Sequence, residues 1–253
     1  MKIAAGVEYD GARYCGWQIQ KHATSVQECV ESALSAVADH PLAVTCAGRT
    51  DAGVHALHQV IHFESEAARP LHAWVLGANT HLPADVSLTW AKSVPADFHA
   101  RYTATSRVYQ YLILNRPARP GLDQARVTWE CRPLDAEKMA RAALSLIGEH
   151  DFTSYRATSC QAKSPVRNVM SLSVERRNEQ VLIIIEANAF LHHMVRNIAG
   201  VLMAIGMGKQ APGWEREVLA AQSRERGGVT AAPDGLYLVG VNYPEKYGIP
   251  APD

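Results

Sequence analysis

The order in which hydrophobic periodicity changes along this chain restricts its fold more than any other feature. Lys2 to Tyr9 alternates, with Ile3, Ala5, Val7 and Tyr9 on one face, and stops at Asp10-Gly11, which reads as a strand. Ser25-Val26-Gln27-Glu28 is a capping box, and Val26, Val30, Ala33, Leu34 and Val37 recur at helical spacing to about Asp39. The apolar run Leu42 to Cys46 and the stretch Gln59 to Glu64 follow as strands. A short helix opened by Pro70 and a strand from about Val86 to Val94 complete the order βαββαβ.

The order then repeats. Ser106 to Leu114 reads as a strand, and Pro133-Leu134-Asp135 leads into a helix with Met139, Ala142, Ala143, Leu146 and Ile147 on one face, ended by Gly148. Arg167 to Arg176 and Val181 to Ala187 are strands, His192 to Met207 is a helix, and Leu236 to Val241 closes the set. A strand near Val127 to Glu130 and a helix after Pro212 are insertions. The expected fold class is therefore α+β: two similar ferredoxin-like (βαββαβ) halves, 1–97 and 98–253, with antiparallel sheets joined around a central cleft. Asn115 to Arg126 and His150 to Pro165 are long for connections in a compact domain, and connections of that length are commonly functional.

No apolar run reaches the roughly 18 residues a membrane helix needs, and the N-terminus has no apolar h-region of a signal peptide. Five scattered cysteines without a CxxC pair read as reduced cytosolic thiols and exclude a zinc ribbon. Formal charge is zero, but it is distributed unevenly. Residues 1–100 carry six basic against ten acidic side chains, 101–177 thirteen against seven, and 178–253 six against eight. Arginine dominates the central excess (Arg101, Arg107, Arg116, Arg119, Arg126 and Arg132, then Arg156, Lys163, Arg167, Arg176 and Arg177), and its planar fork suits phosphates and stacked bases. The two long connections lie in or beside this third and are candidate grips on a polyanion.

The stretch Ala47 to Ala56 (AGRTDAGVHA) sets Arg49 and Asp51 between glycines on a tight turn after a strand. Gly48 and Gly53 permit positive φ or close approach of a ligand. A neighbouring opposite charge favours an ionised carboxylate, a ready nucleophile or base; the plainer alternative is a solvated surface ion pair. Tyr109 and Tyr111 share one face of their strand and offer a stacking platform for a base, or ordinary packing. Arg196 falls at the edge of its helix's apolar stripe, within reach of a carboxylate. His58 and His62 would share a face, but on a strand they lie about 13 Å apart, which does not suit one metal. No GxxxxGK[ST], GxGxxG or GxSxG is present, so nucleotide-cofactor and acyl-transfer chemistry lack their usual signs.

The stretch Gly48 to His55 resembles the active-site motif of the tRNA pseudouridine synthase A family, which isomerises uridine in the anticodon arm. Further matching motifs run through nearly the whole chain: Tyr9-Asp10-Gly11, Gly16-Trp17-Gln18, Phe98-His99-Ala100-Arg101, Tyr109-Gln110-Tyr111, His150 to Ser154, Phe190 to Asn197 and Gly235 to Leu238. The resemblance implies that Asp51 is the catalytic aspartate, that Arg49 helps hold the flipped nucleotide, that Tyr109 stacks on the uracil, that Arg196 pairs with Asp51 and that Leu236 packs against the base. The resemblance further implies that Phe98, His99, Arg101 and Tyr102 lie in one segment that contacts tRNA and Gln161 and Lys163 in another, with Arg167 beside it. It also implies that the cleft between the halves is basic and that a homodimer acts on tRNA at positions 38, 39 and 40 with no cofactor. Two other readings compete. One is an RNA-binding or RNA-folding module without turnover, against which the intact Asp51, Tyr109 and Arg196 set argues. The other is a nucleoside hydrolase, which needs a second acid that the sequence does not offer.

Overall fold

A computed structural model describes residues 1–251. Among these the fold is mixed α and β, with ten strands and five α-helices, and most strand pairs are antiparallel. The chain forms two compact units, Met1–Arg107 with the stretch from Tyr237, and Val108–Leu236. No helix among the described residues is long and apolar enough to cross a membrane.

In the first unit, β1 (Lys2–Tyr9) lies between β4 (Val86–Ser93) and β3 (His55–Glu64), antiparallel to both. The short β2 (Thr45–Cys46) pairs antiparallel with β3, and β10 (Leu236–Asn242) pairs with β3 in parallel through Tyr237 and Leu238. Alternation suggests that only one face of β1 is buried, but Ala4 on the other face is buried too. A strand flanked on both sides and covered on both faces needs small residues where the cover is close. Helix α1 (Val26–Ala38) starts where the capping box places it, with Ser25 Oγ accepting from the Glu28 N–H at 3.3 Å. Its Val26, Val30, Ala33 and Leu34 are buried, and it packs beside α2 (Leu71–His81), whose Trp74 meets Phe63 edge-on. Each such side chain contributes roughly 1.5–3 kcal/mol on burial.

In the second unit, β8 (Val166–Arg177) and β9 (Gln180–Ala187) form a hairpin that turns at Asn178, whose φ is 56°. Here β5 (Ser106–Asn115), whose first two residues count with the first unit, pairs in parallel with β6 (Thr128–Glu130). Helix α3 (Ala136–Ala143) is capped by Asp135 and packs on β8 and on α4 (Met194–Gly206), and α5 (Trp214–Ala221) follows. The helical period expected to carry Ile147 inward breaks after Ala143. A 3₁₀ turn over Leu144–Leu146 leaves Ile147 36% exposed. The edge strand β7 (Gly148–Asp151) pairs with β8, and its last two residues fall in the stretch from His150 to Pro165 that reads as irregular chain.

Candidate functional site

The Asp51 loop connects β2 to β3, and its backbone is held from several sides. Gln59, fully buried on β3, donates from Nε2 to the Gly48 carbonyl at 2.6 Å and accepts from the Gly48 N–H at 3.3 Å. Tyr9 Oη and Thr50 Oγ1 share a hydrogen bond of 2.8 Å, and the Thr50 carbonyl accepts from the Trp17 N–H at 3.0 Å. A turn closes from the Val54 N–H to the Asp51 carbonyl, with Gly53 at φ 77°. Gly16, at φ 87°, packs so closely that a Cβ there would stand 2.6 Å from the Thr50 carbonyl oxygen. Arg49 is exposed and Asp51 half-buried. The backbone is thus fixed while both charged side chains stand at the accessible side of the loop. His55 supports it from β3, accepting from the Gly11 N–H at 3.0 Å and stacking on Tyr237 with centroids 4.6 Å apart. Burial pushes the thiol of nearby Cys46 up to about 12, which removes it as a competing nucleophile.

The segment 98–104 belongs to the same unit. Phe98, expected at an RNA contact, is fully buried against the rings of Tyr243 and Tyr247, so it anchors the segment and offers no surface. Lys2 Nζ donates to the Ala96 and Phe98 carbonyls, the Ala100 N–H donates to His62 Nδ1 at 3.1 Å, and Tyr243 Oη donates to the Ala100 carbonyl at 2.6 Å. His99 accepts from the N–H groups of Arg101 and Tyr102, both at 3.2 Å, and its ring stacks on Tyr102 at 4.3 Å. Tyr102 is 75% exposed, with the Arg101 guanidinium 5.6 Å from its ring centre. A flat ring and a planar cation are thereby presented together, the combination that stacks on bases and meets phosphates. Burial, with His99 and Lys2 adding to it, holds His62 down at about 4, and burial also lowers His99.

Arg107 corrects the reading of the basic third. It is buried and spends its guanidinium on backbone: Nε and Nη2 donate to the Ala47 carbonyl at 3.3 and 3.0 Å, Nη2 also to the Arg101 carbonyl at 2.6 Å, and Nη1 to that of Ala104 at 3.4 Å. Others are similarly committed: Arg116 pairs with Glu179, Arg132 with Glu130, and Arg176 donates to the Leu134 carbonyl. A sequence count of arginines therefore overstates the charge available to a polyanion.

In the second unit, Tyr109 is nearly buried, its ring edge-on to Phe190 at 4.9 Å. Tyr111 is fully buried on the same face of β5. Its hydroxyl is shared with Thr128 Oγ1 and donates to the Ala232 carbonyl, and burial raises its pKa, so it is a packing residue. Helix α4 begins at Met194, two residues later than its spacing suggests, because His193 takes φ 63°. Arg196 on its first turn donates from Nε to the Ala231 carbonyl at 2.8 Å, while the Ala231 N–H returns a bond to the Arg196 carbonyl. Asn197 beside it is buried and donates to the Tyr155 carbonyl at 2.7 Å, which fixes the helix start. Leu236 is buried at the end of this unit. Gln161 and Lys163 are exposed. Arg167 is half-buried, donates from Nη1 to the Ser164 and Val166 carbonyls, and keeps a buried Nε with no hydrogen-bond partner. The long connection after Asn115 borders a cavity of about 330 Å³ that Arg119, Gln124, Trp129 and Asp234 help to line.

The first unit thus carries a held loop with a half-buried Asp51 and an exposed Arg49, and the second carries Tyr109 on a strand and Arg196 at a helix start. Residues 5–103 and 142–244 match the family described as tRNA pseudouridine synthase, and the chain belongs to that family, whose members isomerise uridine to pseudouridine in tRNA. Asp51, Arg196 and Leu236 lie inside the matched residues, and Tyr109 lies in the interval between them. The chain is 57% identical over 250 residues to the tRNA pseudouridine synthase A of Nitrosococcus oceani, covering 99% of this chain and 96% of that protein. It is 56% identical over 249 residues to that of Methylococcus capsulatus, covering 98% and 92%. With that of Cronobacter sakazakii it shares 54% over 252 residues, covering 100% and 93%. Among solved structures, a chain of a Cbf5-Nop10-Gar1 complex aligns with 79% of this chain and 44% of its own at a TM-score of 0.38 and 12% identity.

Proposed function

We propose that this chain isomerises uridines of the tRNA anticodon arm, at positions 38, 39 and 40, with Asp51 as the catalytic carboxylate. The observation that carries the reading is the Asp51 loop: its backbone is fixed by Gln59, Tyr9 and Trp17, while Asp51 and Arg49 are left at the accessible side. Catalysis by one group needs that group held in place before substrate arrives. In the reaction the C1′–N1 bond breaks, the uracil turns, and a C1′–C5 bond forms; N1 gains a proton and C5 loses one. One carboxylate suffices, as nucleophile at C1′ or as base at the sugar, in partial analogy to a retaining glycosidase. The detached uracil is the second reactant, so a water-activating partner would be harmful.

In this reading Arg49 holds the flipped nucleotide, Tyr109 stacks on the uracil and takes up the C5 proton, Arg196 pairs with Asp51, and Leu236 packs against the base. Tyr102, Arg101 and His99 grip the tRNA from one segment and Gln161 and Lys163 from another, with Arg167 shaping the latter. Unstacking the uridine costs a few kcal/mol, which phosphate contacts offset. Neither a cofactor nor a metal takes part, the working form is a homodimer, and the compartment is the cytoplasm. Functionally the chain divides into residues 1–97, which carry the Asp51 loop, and 98–253, which carry Tyr109, Arg196 and the RNA-binding loops. The antiparallel placing of β3 between β1 and β2, with β4 beyond β1, supports reading the first half as a ferredoxin-like βαββαβ unit. The hairpin β8–β9 after α3, followed by α4, supports the same reading of the second.

The test is tritium release from tRNA carrying [5-³H]uridine, with the Asp51→Asn variant and a chelator-treated sample in parallel. Release by the native chain, unaffected by chelator and absent in Asp51→Asn, is the expected result. Full release by Asp51→Asn would remove Asp51 from the chemistry, and tRNA binding without release by the native chain would return the non-catalytic RNA-binding reading.

A further inference from the structure

We infer that Arg107 is a positioning residue for the isomerisation, tying the backbone of the catalytic loop to the segment that grips RNA. The inference rests on the proposed role of Asp51. Arg107 is buried, so it serves no phosphate directly. Its guanidinium bridges two stretches far apart in sequence, the Ala47 carbonyl at the root of the Asp51 loop and the Arg101 and Ala104 carbonyls. Ala47 precedes Gly48, the residue clasped by Gln59, so both holds act on the same end of the loop. Arg101 is also the residue whose cation lies beside the exposed Tyr102 ring. RNA that engages these two side chains therefore loads a backbone that Arg107 connects directly to the loop bearing Asp51.

Only a planar fork with several N–H groups can serve both stretches. A lysine ammonium is a single point and cannot reproduce donors spread over that span. A glutamine has one amide and no charge. The expected consequence is a change in how well the carboxylate is placed, with little change in how well tRNA is held, since a small misplacement in a preorganised site costs far more in rate than in binding.

The experiment measures kcat and KM for tRNA in Arg107→Gln and Arg107→Lys, with hydrogen exchange of residues 47–53 and melting temperature recorded for each. Expected are a fall in kcat of about tenfold or more, a KM within about threefold of the native value, and faster exchange in 47–53. Arg107→Lys, the conservative variant, should fold even if Arg107→Gln does not, and it decides the question alone. Weaker tRNA binding at unchanged kcat would make Arg107 an RNA contact and overturn the inference; so would unchanged kcat with looser exchange. Asp51→Asn is run beside them: turnover in that variant would fail the underlying assignment of Asp51 and leave the kcat and exchange results for Arg107 to be read separately.

Discussion

Gln59 is the side chain on which the geometry of the Asp51 loop most depends. It sits fully buried in a strand that also carries His55, His58 and His62, and satisfies both the N–H and the carbonyl of Gly48. A buried amide is tolerated only when such partners exist, and removing it leaves two backbone groups unpaired. Gln59→Met is expected to destabilise the protein by about 1–3 kcal/mol and to lower kcat, read by urea unfolding and by tritium release. Unchanged values for both would show that the loop is fixed without it. The sequence does not single this residue out, since it stands beside His58 among other polar positions of its strand, whereas the charged pair Arg49 and Asp51 between glycines was plain. Arg107 was legible as a charge but not as a buried one, because its partners are backbone carbonyls and carbonyls leave no mark in a sequence. The burial of Phe98 could not be read for a related reason: a motif position does not say which of its side chains face inward.

At the scale of elements, the capped helix α1 and the long alternating strands could be read because their periodicity is strong and their ends carry capping residues. Strand β7 could not: Gly148-Glu149-His150-Asp151 has no apolar alternation, and it is a strand only because β8 offers it an edge. The segment 98–104 is likewise formed by tertiary contacts. One of these, the Ala100 N–H to His62 Nδ1, requires a neutral imidazole at that nitrogen. Folding holds His62 at about 4, below its ordinary 6.5. The neutral ring thus contributes stability that is complete above pH 6.5, shrinks as pH falls toward 4, and changes little below. His99, lowered in the same direction, adds to it. Melting temperature should fall between pH 6.5 and 4, and less steeply in His62→Gln. Identical slopes would remove His62 as the titrating group.

For the whole molecule the decisive quantity is charge that remains outward, not charge summed. The chain is neutral overall, and several arginines of its basic third are paired or buried. Binding to tRNA should therefore depend on a few exposed cations such as Arg101 and Lys163. Each of Arg101→Gln and Lys163→Gln is expected to reduce the slope of log affinity against log salt by about 1, measured by filter binding across a salt series. A slope that either variant leaves unchanged would take that residue out of the interface.

The first unit is discontinuous: its strand β3 receives β10 as a parallel neighbour, and His55 stacks on Tyr237, from opposite ends of the chain. During synthesis the ribosome delivers the Asp51 loop some 180 residues before the strand that supports it. Until that strand emerges, the nascent chain holds the loop against an unfinished sheet. The arrangement delays a competent loop until residues 236–242 have been made, so a product terminated before them would occupy no tRNA productively.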